Sequence, residues 1–274
     1  MRILGLDTAT RATTVALCDF DRTDRTDRYG ESAGPHRSGR ELEARDDPAR
    51  DDRPRHAARL LPLIVELLDR SGSDWGEIER IAVGVGPGTF TGLRIGIATA
   101  RALGQARAIG LCGVSTLRSL AIGADPQLIS GRGHRSGAGP QAGAHGIVLA
   151  VLDARRGEVF AAAWRAPQVS ALEESEPADR VLAPVAIAPE ALARLIPQLG
   201  SHVLAIGDGA VEFRSVLECS GAQIPPDESE LHHVSAISHC WMAPHLRMRA
   251  PDQVSPEYLR LPDAEIARRL QAPR

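Results

Sequence analysis

Two aspartates occupy the positions from which chemistry is easiest to build. Asp7 ends the apolar run of ILGLD and Asp153 ends that of VLAVLD. A polar turn with arginine and a second apolar run follow each, so ILGLDTATRATTVAL and VLAVLDARRGEVFAAAW share one layout, with the aspartates 146 residues apart. Short apolar strands ending in Asp are common, and the layout alone leaves chance open. Lysine is absent, which excludes a P-loop lysine, a Schiff-base lysine and a Ser-Lys nucleophile. Cys18, Cys112, Cys219 and Cys240 form no C-x-x-C pair, so a zinc knuckle or thioredoxin-like site is not expected. His232 and His233 are adjacent and His239 and His245 are six apart, off the i, i+4 spacing that sets two imidazoles on one helix face. Each reads as a surface or capping residue. There is no G-x-S-x-G elbow and no H-E-x-x-H motif; a Ser-His-Asp set converges only in the fold and stays open.

The elements that must position these residues alternate between strand and helix, which indicates an α/β fold. Ile3–Leu6 and Thr13–Cys18 read as a hairpin across the polar turn Asp7, Thr8, Ala9, Thr10. Ala57, Leu60, Leu61, Ile64, Val65 and Leu68 repeat at helical spacing, and Pro62 moves the expected regular start toward Leu61. Ile81–Val85 reads as a strand running into GPGTFTGLRIGIATARALG, a glycine-rich turn feeding a helix. Ile109–Val114 is a further strand, with Ser115 placed to cap the next helix. In the second half, Ile147–Leu152 and Val159–Trp164 form the other hairpin, Pro189 and Glu190 open a helix, and His202–Ile206 enters the Gly207-Asp208-Gly209 turn.

Composition divides the chain. Residues 19–55 are dominated by Asp, Arg, Gly and Pro, too poor in apolar side chains to offset ordering entropy, and read as a mobile insertion. Residues 123–145 read as a flexible linker between a first lobe, 1–122, and a second, 146–274, whose last helices could pack back on the first. The net charge of −3 and 3% aromatic content provide neither a phosphate-binding field nor a stacking platform, so any RNA would be met indirectly, through another subunit. No run approaches the roughly 20 apolar residues of a membrane span, and a soluble, cytoplasmic protein is expected.

Within the second predicted helix, Gly92, Gly96, Ala100 and Gly104 recur at every fourth position. Glycine inside a soluble helix costs about 0.5–1 kcal/mol relative to alanine, which implies a compensating close contact. Either a partner helix enters that groove or the chain's own sheet fills it.

GPGTFTGLRIGIA, LDARRGEVF, PEYLR and RHAARLLPLI together resemble the TsaB (YeaZ-like) family, over nearly the whole chain outside the insertion and the linker. The resemblance implies the actin/Hsp70/sugar-kinase superfold: two actin-like lobes with duplicated hairpin-plus-helix topology, the second diverged. It implies a non-catalytic scaffold that binds the TsaD-type transferase for N6-threonylcarbamoylation of adenosine 37 in tRNA, with a TsaE-type ATPase joining. The expected interface is His56, Leu60, Leu61, Ile64 and Leu68 with Gly92, Gly96, Ala100 and Gly104, and a homodimer would compete for it. In the superfold the hairpin turn holds nucleotide phosphates through glycine. Ala9 stands there instead, so no cofactor is required and only weak or shared ATP/ADP is expected, near Asp7, Thr8, Thr10, Arg94, Gly207 and Gly209, with Arg94 beside the groove open to either a carboxylate or a nucleotide phosphate. The H-x-x-x-H metal pair of the TsaD relative is reduced to His56, with Leu60 in the second place, so no metal is expected. An M22-type peptidase and an autonomous small-molecule kinase are the alternatives.

Overall fold

The computed structural model describes residues 1–20, 37–49, 51–124, 146–165 and 179–260, with backbone only at 37–39. The first half contains β1 (Arg2–Asp7), β2 (Thr13–Phe20), β3 (Arg37–Asp46), α1 (His56–Ser71), β4 (Ile78–Gly86), α2 (Phe90–Arg107), β5 (Gly110–Ser115) and α3 (Thr116–Ile122). The second contains β6 (Ile147–Arg155), β7 (Glu158–Arg165), β8 (Arg180–Ile187), α4 (Pro189–Leu199), β9 (Val203–Ile206), α5 (Asp208–Glu212), α6 (Arg214–Glu218), β10 (Ala222–Gln223) and α7 (Ala236–Met242).

The strands form two five-stranded sheets, ordered β3-β2-β1-β4-β5 and β10-β9-β6-β7-β8. In the first, β1 pairs antiparallel with β2 and parallel with β4. In the second, β6 pairs antiparallel with β7 and parallel with β9. Read from the opposite edge, the second sheet repeats the first, with β6 in the place of β1. The duplicated layout around Asp7 and Asp153 is therefore a duplicated topology, and the lobes are actin-like.

Both faces of the first sheet are covered, which is why its central strands are nearly all apolar. Leu4 and Leu6 face α1 and α2 through Leu60, Ile64, Leu67 and Ile97. Ile3, with Ala16, Cys18, Ala82 and Cys112, faces Ile237, Cys240 and Trp241 of α7. On the second sheet α3 packs through Leu117 and Leu120 on Val148 and Leu152. The other face meets Leu192 and Ile196 of α4 and Leu217 of α6.

Two expectations need correction. Residues 37–46 are not mobile insertion; they form the edge strand β3, with Leu42 against the α1 cluster and Glu43 accepting from the Ser235 hydroxyl and the Ala236 N–H, both at 2.8 Å. Charges that look unfoldable in sequence are thus paired across the fold. The remaining part of the expected insertion at 21–36 and 50, and the expected linker at 125–145, lie outside the described residues. Finally, α1 starts at His56, with Pro62 inside it on the exposed side. Its missing N–H forfeits one bond to Ala58, where water can take over.

Candidate functional site

β1 delivers Asp7 to the carboxyl end of the first sheet. There Oδ1 accepts the Ala9 N–H at 2.7 Å, while Oδ2 lies 3.0 Å from His239 Nε2 and accepts from the Thr116 hydroxyl at 3.4 Å. His239 Nδ1 is 2.7 Å from Ser119 Oγ. One chain of polar contacts therefore links β1, α7 and α3. Asp7 is 1% exposed, and Ser119 and His239 are fully buried. The bonding order is that of a Ser-His-Asp hydrolase, but in this conformation no side chain of the three meets solvent, so none meets a substrate. His239 is not the surface or capping residue its spacing suggested. The two partners are 232 residues apart, and no local pattern could have paired them.

The residues expected near nucleotide do not form one open site. Thr8 is buried and its hydroxyl donates to the Gly92 carbonyl at 2.7 Å. Ala9 is buried under Gly88, and its carbonyl accepts the Thr89 N–H at 2.7 Å. Of this turn only Thr10 keeps partial exposure. Gly207, at φ +110°, and Gly209 press on the backbone of Val151 and Leu152, where a Cβ would collide. They serve close packing of the β9–α5 turn on β6.

That turn leaves Asp208 as its polar group. Asp208 Oδ1 accepts the Asp153 N–H at 3.0 Å, and burial, reinforced by the nearby Asp153 charge, pushes its carboxyl up to about 6. Asp153 itself accepts from the Arg155 N–H at 2.7 Å and pairs with the Arg155 guanidinium at 2.9 Å. Arg155 and Arg156 both have left-handed backbone, at φ 64° and 59°.

The expected partner face also divides. Gly92, Gly96, Ala100 and Gly104 are buried, and this row packs on the chain's own structure. A Cβ on Gly92 would sit 2.5 Å from Thr89 Oγ1 and closer still to the Thr8 carbonyl; on Gly104 it would meet Leu111 and the Ile109 carbonyl. His56, Leu60, Ile64 and Leu68 are likewise buried, between 0% and 6% exposed. His56 Nδ1 is 2.9 Å from Thr13 Oγ1, and burial lowers its pKa, which favours the neutral ring. None of these eight is available to a partner. Leu61 is, at 49% exposure, together with Val65 at 52%. The inward stripe includes Leu63 and Leu67 instead.

Arg94 stands apart from the buried turn. It projects from the first turns of α2, its guanidinium carbon 3.8 Å from the Phe90 ring centroid, and its Nε donates to Tyr258 Oη at 3.1 Å. Among the described residues no group of three or more His, Cys, Asp or Glu is arranged to hold a metal ion, and no helix is long and apolar enough to cross a membrane.

The model of the TsaD family, tRNA N6-adenosine threonylcarbamoyltransferase, matches residues 51–175. The tRNA threonylcarbamoyladenosine biosynthesis protein TsaB of Escherichia coli (strain K12) is 30% identical over 262 residues, 95% of either chain. The chain belongs to the TsaB family. The TsaB protein of Bacillus subtilis (strain 168) is also 30% identical, over 38% of each chain. Among solved structures, YeaZ from Pseudomonas aeruginosa aligns with 25% identity and a TM-score of 0.63, over 94% of this chain and 99% of its own. A second Pseudomonas aeruginosa structure, described as similar to the peptidase YEAZ, aligns with 26% identity and a TM-score of 0.64 over the same shares. In this TsaB-family chain the span matched by the TsaD model includes both α1 and α2. His56 there packs internally, and Leu60, one turn later, is core.

Proposed function

We propose that this TsaB-family chain is a non-catalytic scaffold and activator. It binds a TsaD-type transferase, which threonylcarbamoylates adenosine 37 of tRNA, and a TsaE-type ATPase joins the assembly in the cytoplasm. The observation that carries the reading is the outward face of α1, where Leu61 and Val65 stand half in water on a helix whose other face is fully committed to the core. Large apolar side chains exposed together are what a partner surface requires. The Escherichia coli relative, a tRNA threonylcarbamoyladenosine biosynthesis protein, supports the pathway.

The sealed hairpin turn supports an accessory role. With Asp7 tied to His239 and Thr8 to Gly92, the hairpin turn offers no free phosphate seat among the described residues. ATP or ADP is not required by this subunit, and any that binds is weak and completed by the partner. At a net charge of −3, tRNA is reached through the complex. A homodimer would use the same α1 face and so compete with the transferase.

Two measurements test this. Threonylcarbamoyladenosine in cellular tRNA, quantified by nucleoside mass spectrometry, is expected to fall on depletion of the chain and recover on its return. Leu61→Asp is expected to abolish co-purification with the TsaD-type subunit while leaving the melting temperature unchanged. Normal modified-nucleoside levels under verified depletion would refute the pathway, and intact co-purification would refute the interface.

A further inference from the structure

We propose that Arg94, clamped between Phe90 and Tyr258, is a carboxylate receptor: it takes an aspartate or glutamate side chain of the TsaD-type subunit in a bidentate pair. This rests on the partner reading above and adds to it a specific charged contact outside the apolar face of α1.

The guanidinium is held before any partner arrives. Phe90 lies beneath it, Tyr258 Oη accepts from Nε, and the two rings are 5.1 Å apart between centroids. Tyr258 is itself fastened on both sides. The Glu257 N–H donates to the Val85 carbonyl at 2.7 Å, and Arg260 pairs with Glu158 of the second lobe at 2.6 Å. Two segments 164 residues apart in sequence thus orient one exposed arginine. Its Nη1 and Nη2 have no partner among the described residues. An ordinary surface arginine loses rotamer freedom on binding; one already fixed loses less, so more of the contact energy reaches affinity.

The chemistry selects the ligand. A planar fork with two parallel N–H donors matches the two oxygens of a carboxylate. A doubly charged phosphate calls for several converging donors, whereas one preset guanidinium is enough for a carboxylate. The surroundings select a macromolecule over a metabolite. Tyr258, which accepts from Arg94, and Leu259 next to it in sequence are each 37% exposed. Tyrosine and arginine flanked by apolar side chains is the composition of interface hot spots. The cluster also sits on α2, which packs against α1, the helix that carries exposed Leu61 and Val65.

Titration calorimetry of the purified chain against the purified TsaD-type subunit, at several salt concentrations, tests the assignment. Arg94→Ala is expected to weaken binding by about 30-fold or more and to flatten its salt dependence. Arg94→Lys is expected to restore only a small part, because an ammonium cannot form the fork. Tyr258→Phe, which keeps the ring and loses the hydroxyl, is expected to weaken binding about 3-fold through looser orientation. Arg94→Glu is expected to recover binding when one acidic residue of the partner, found by scanning Asp and Glu to Arg, is reversed. Binding by Arg94→Ala within twofold of the unmodified chain, while Leu61→Asp abolishes it, would overturn the receptor and keep the interface. Loss of binding by neither variant, or no binding by the unmodified chain, would overturn both. Displacement of the partner by ATP or inorganic phosphate acting through Arg94 would overturn the carboxylate in favour of a phosphate site.

Discussion

Replacing Gly92 with alanine separates the two roles open to the small-residue row of α2, because they differ in sign. If the row were an empty groove awaiting a partner, alanine would stabilise the free chain by about 0.5–1 kcal/mol, the helical advantage of alanine over glycine. The structure requires the reverse. The new Cβ would lie 2.5 Å from Thr89 Oγ1 and closer to the Thr8 carbonyl oxygen, which is backbone and cannot rotate away. Overpacking of this kind costs about 1–3 kcal/mol. Displacing Thr8 also endangers its 2.7 Å hydrogen bond to the Gly92 carbonyl, a further loss of about 0.5–1.5 kcal/mol. After the helical gain is subtracted, the net destabilisation is about 1–3 kcal/mol. For a chain of this size each kcal/mol moves the melting temperature by about 2–4 °C, so a fall of roughly 4–8 °C is expected at 2 kcal/mol. Scanning fluorimetry of the isolated chain, with no partner present, is sufficient to read it. A melting temperature equal to or above that of the unmodified chain would refute internal packing of the row.

Two further outcomes follow from the buried polar groups. His239→Ala leaves Asp7 buried without its imidazole partner and is expected to cost about 3–5 kcal/mol in urea denaturation, against about 1 kcal/mol for Ser119→Ala, which breaks one neutral contact; a loss below 0.5 kcal/mol for His239→Ala would mean that Asp7 is solvated. Asp208 titrates in the folded chain at about 6 against an ordinary 3.8, so between those values the folded state binds the extra proton. Stability is then greatest below that window and declines as pH rises through it. Asp208→Asn, whose amide oxygen can still accept the Asp153 N–H, is expected to remove that decline and to raise stability at pH 7 by about 1–3 kcal/mol. An unaltered pH profile of stability would refute the shift.

The lobes were legible because their central strands obey local rules. Apolar runs ended by Asp7 and Asp153 each turn back on a second apolar run, and that pattern needs no distant partner to be recognised. The helix after GPGTFTG and the Ser115 cap, whose hydroxyl accepts from Arg118 N at 3.4 Å, belong to the same class. What failed depends on contacts far apart in sequence. β3 was hidden because Glu43 is satisfied by α7, nearly two hundred residues on. In α1 a broad apolar stripe does not say which edge turns inward. Leu60 and Ile64 went to the core with Leu63 and Leu67, and Leu61 and Val65 stayed out. The glycine row correctly implied a close neighbour, but periodicity carries no information on whether that neighbour belongs to the same chain.

The cover that α7 places over the back of the first sheet has a consequence for biosynthesis. Ile3, Cys18, Ala82 and Cys112 are roofed by Ile237, Cys240 and Trp241, so one face of the first sheet lacks this cover until α7 is translated. At 5–20 residues per second, about 125 residues separate completion of β5 from emergence of α7, a gap of about 6–25 s. During that interval the nascent chain carries an apolar surface that a chaperone would shield. A gene fragment ending at the close of the first lobe would express a sheet lacking that roof, and such a fragment should be recovered from cells as aggregate, becoming soluble when a peptide spanning α7 is supplied in trans.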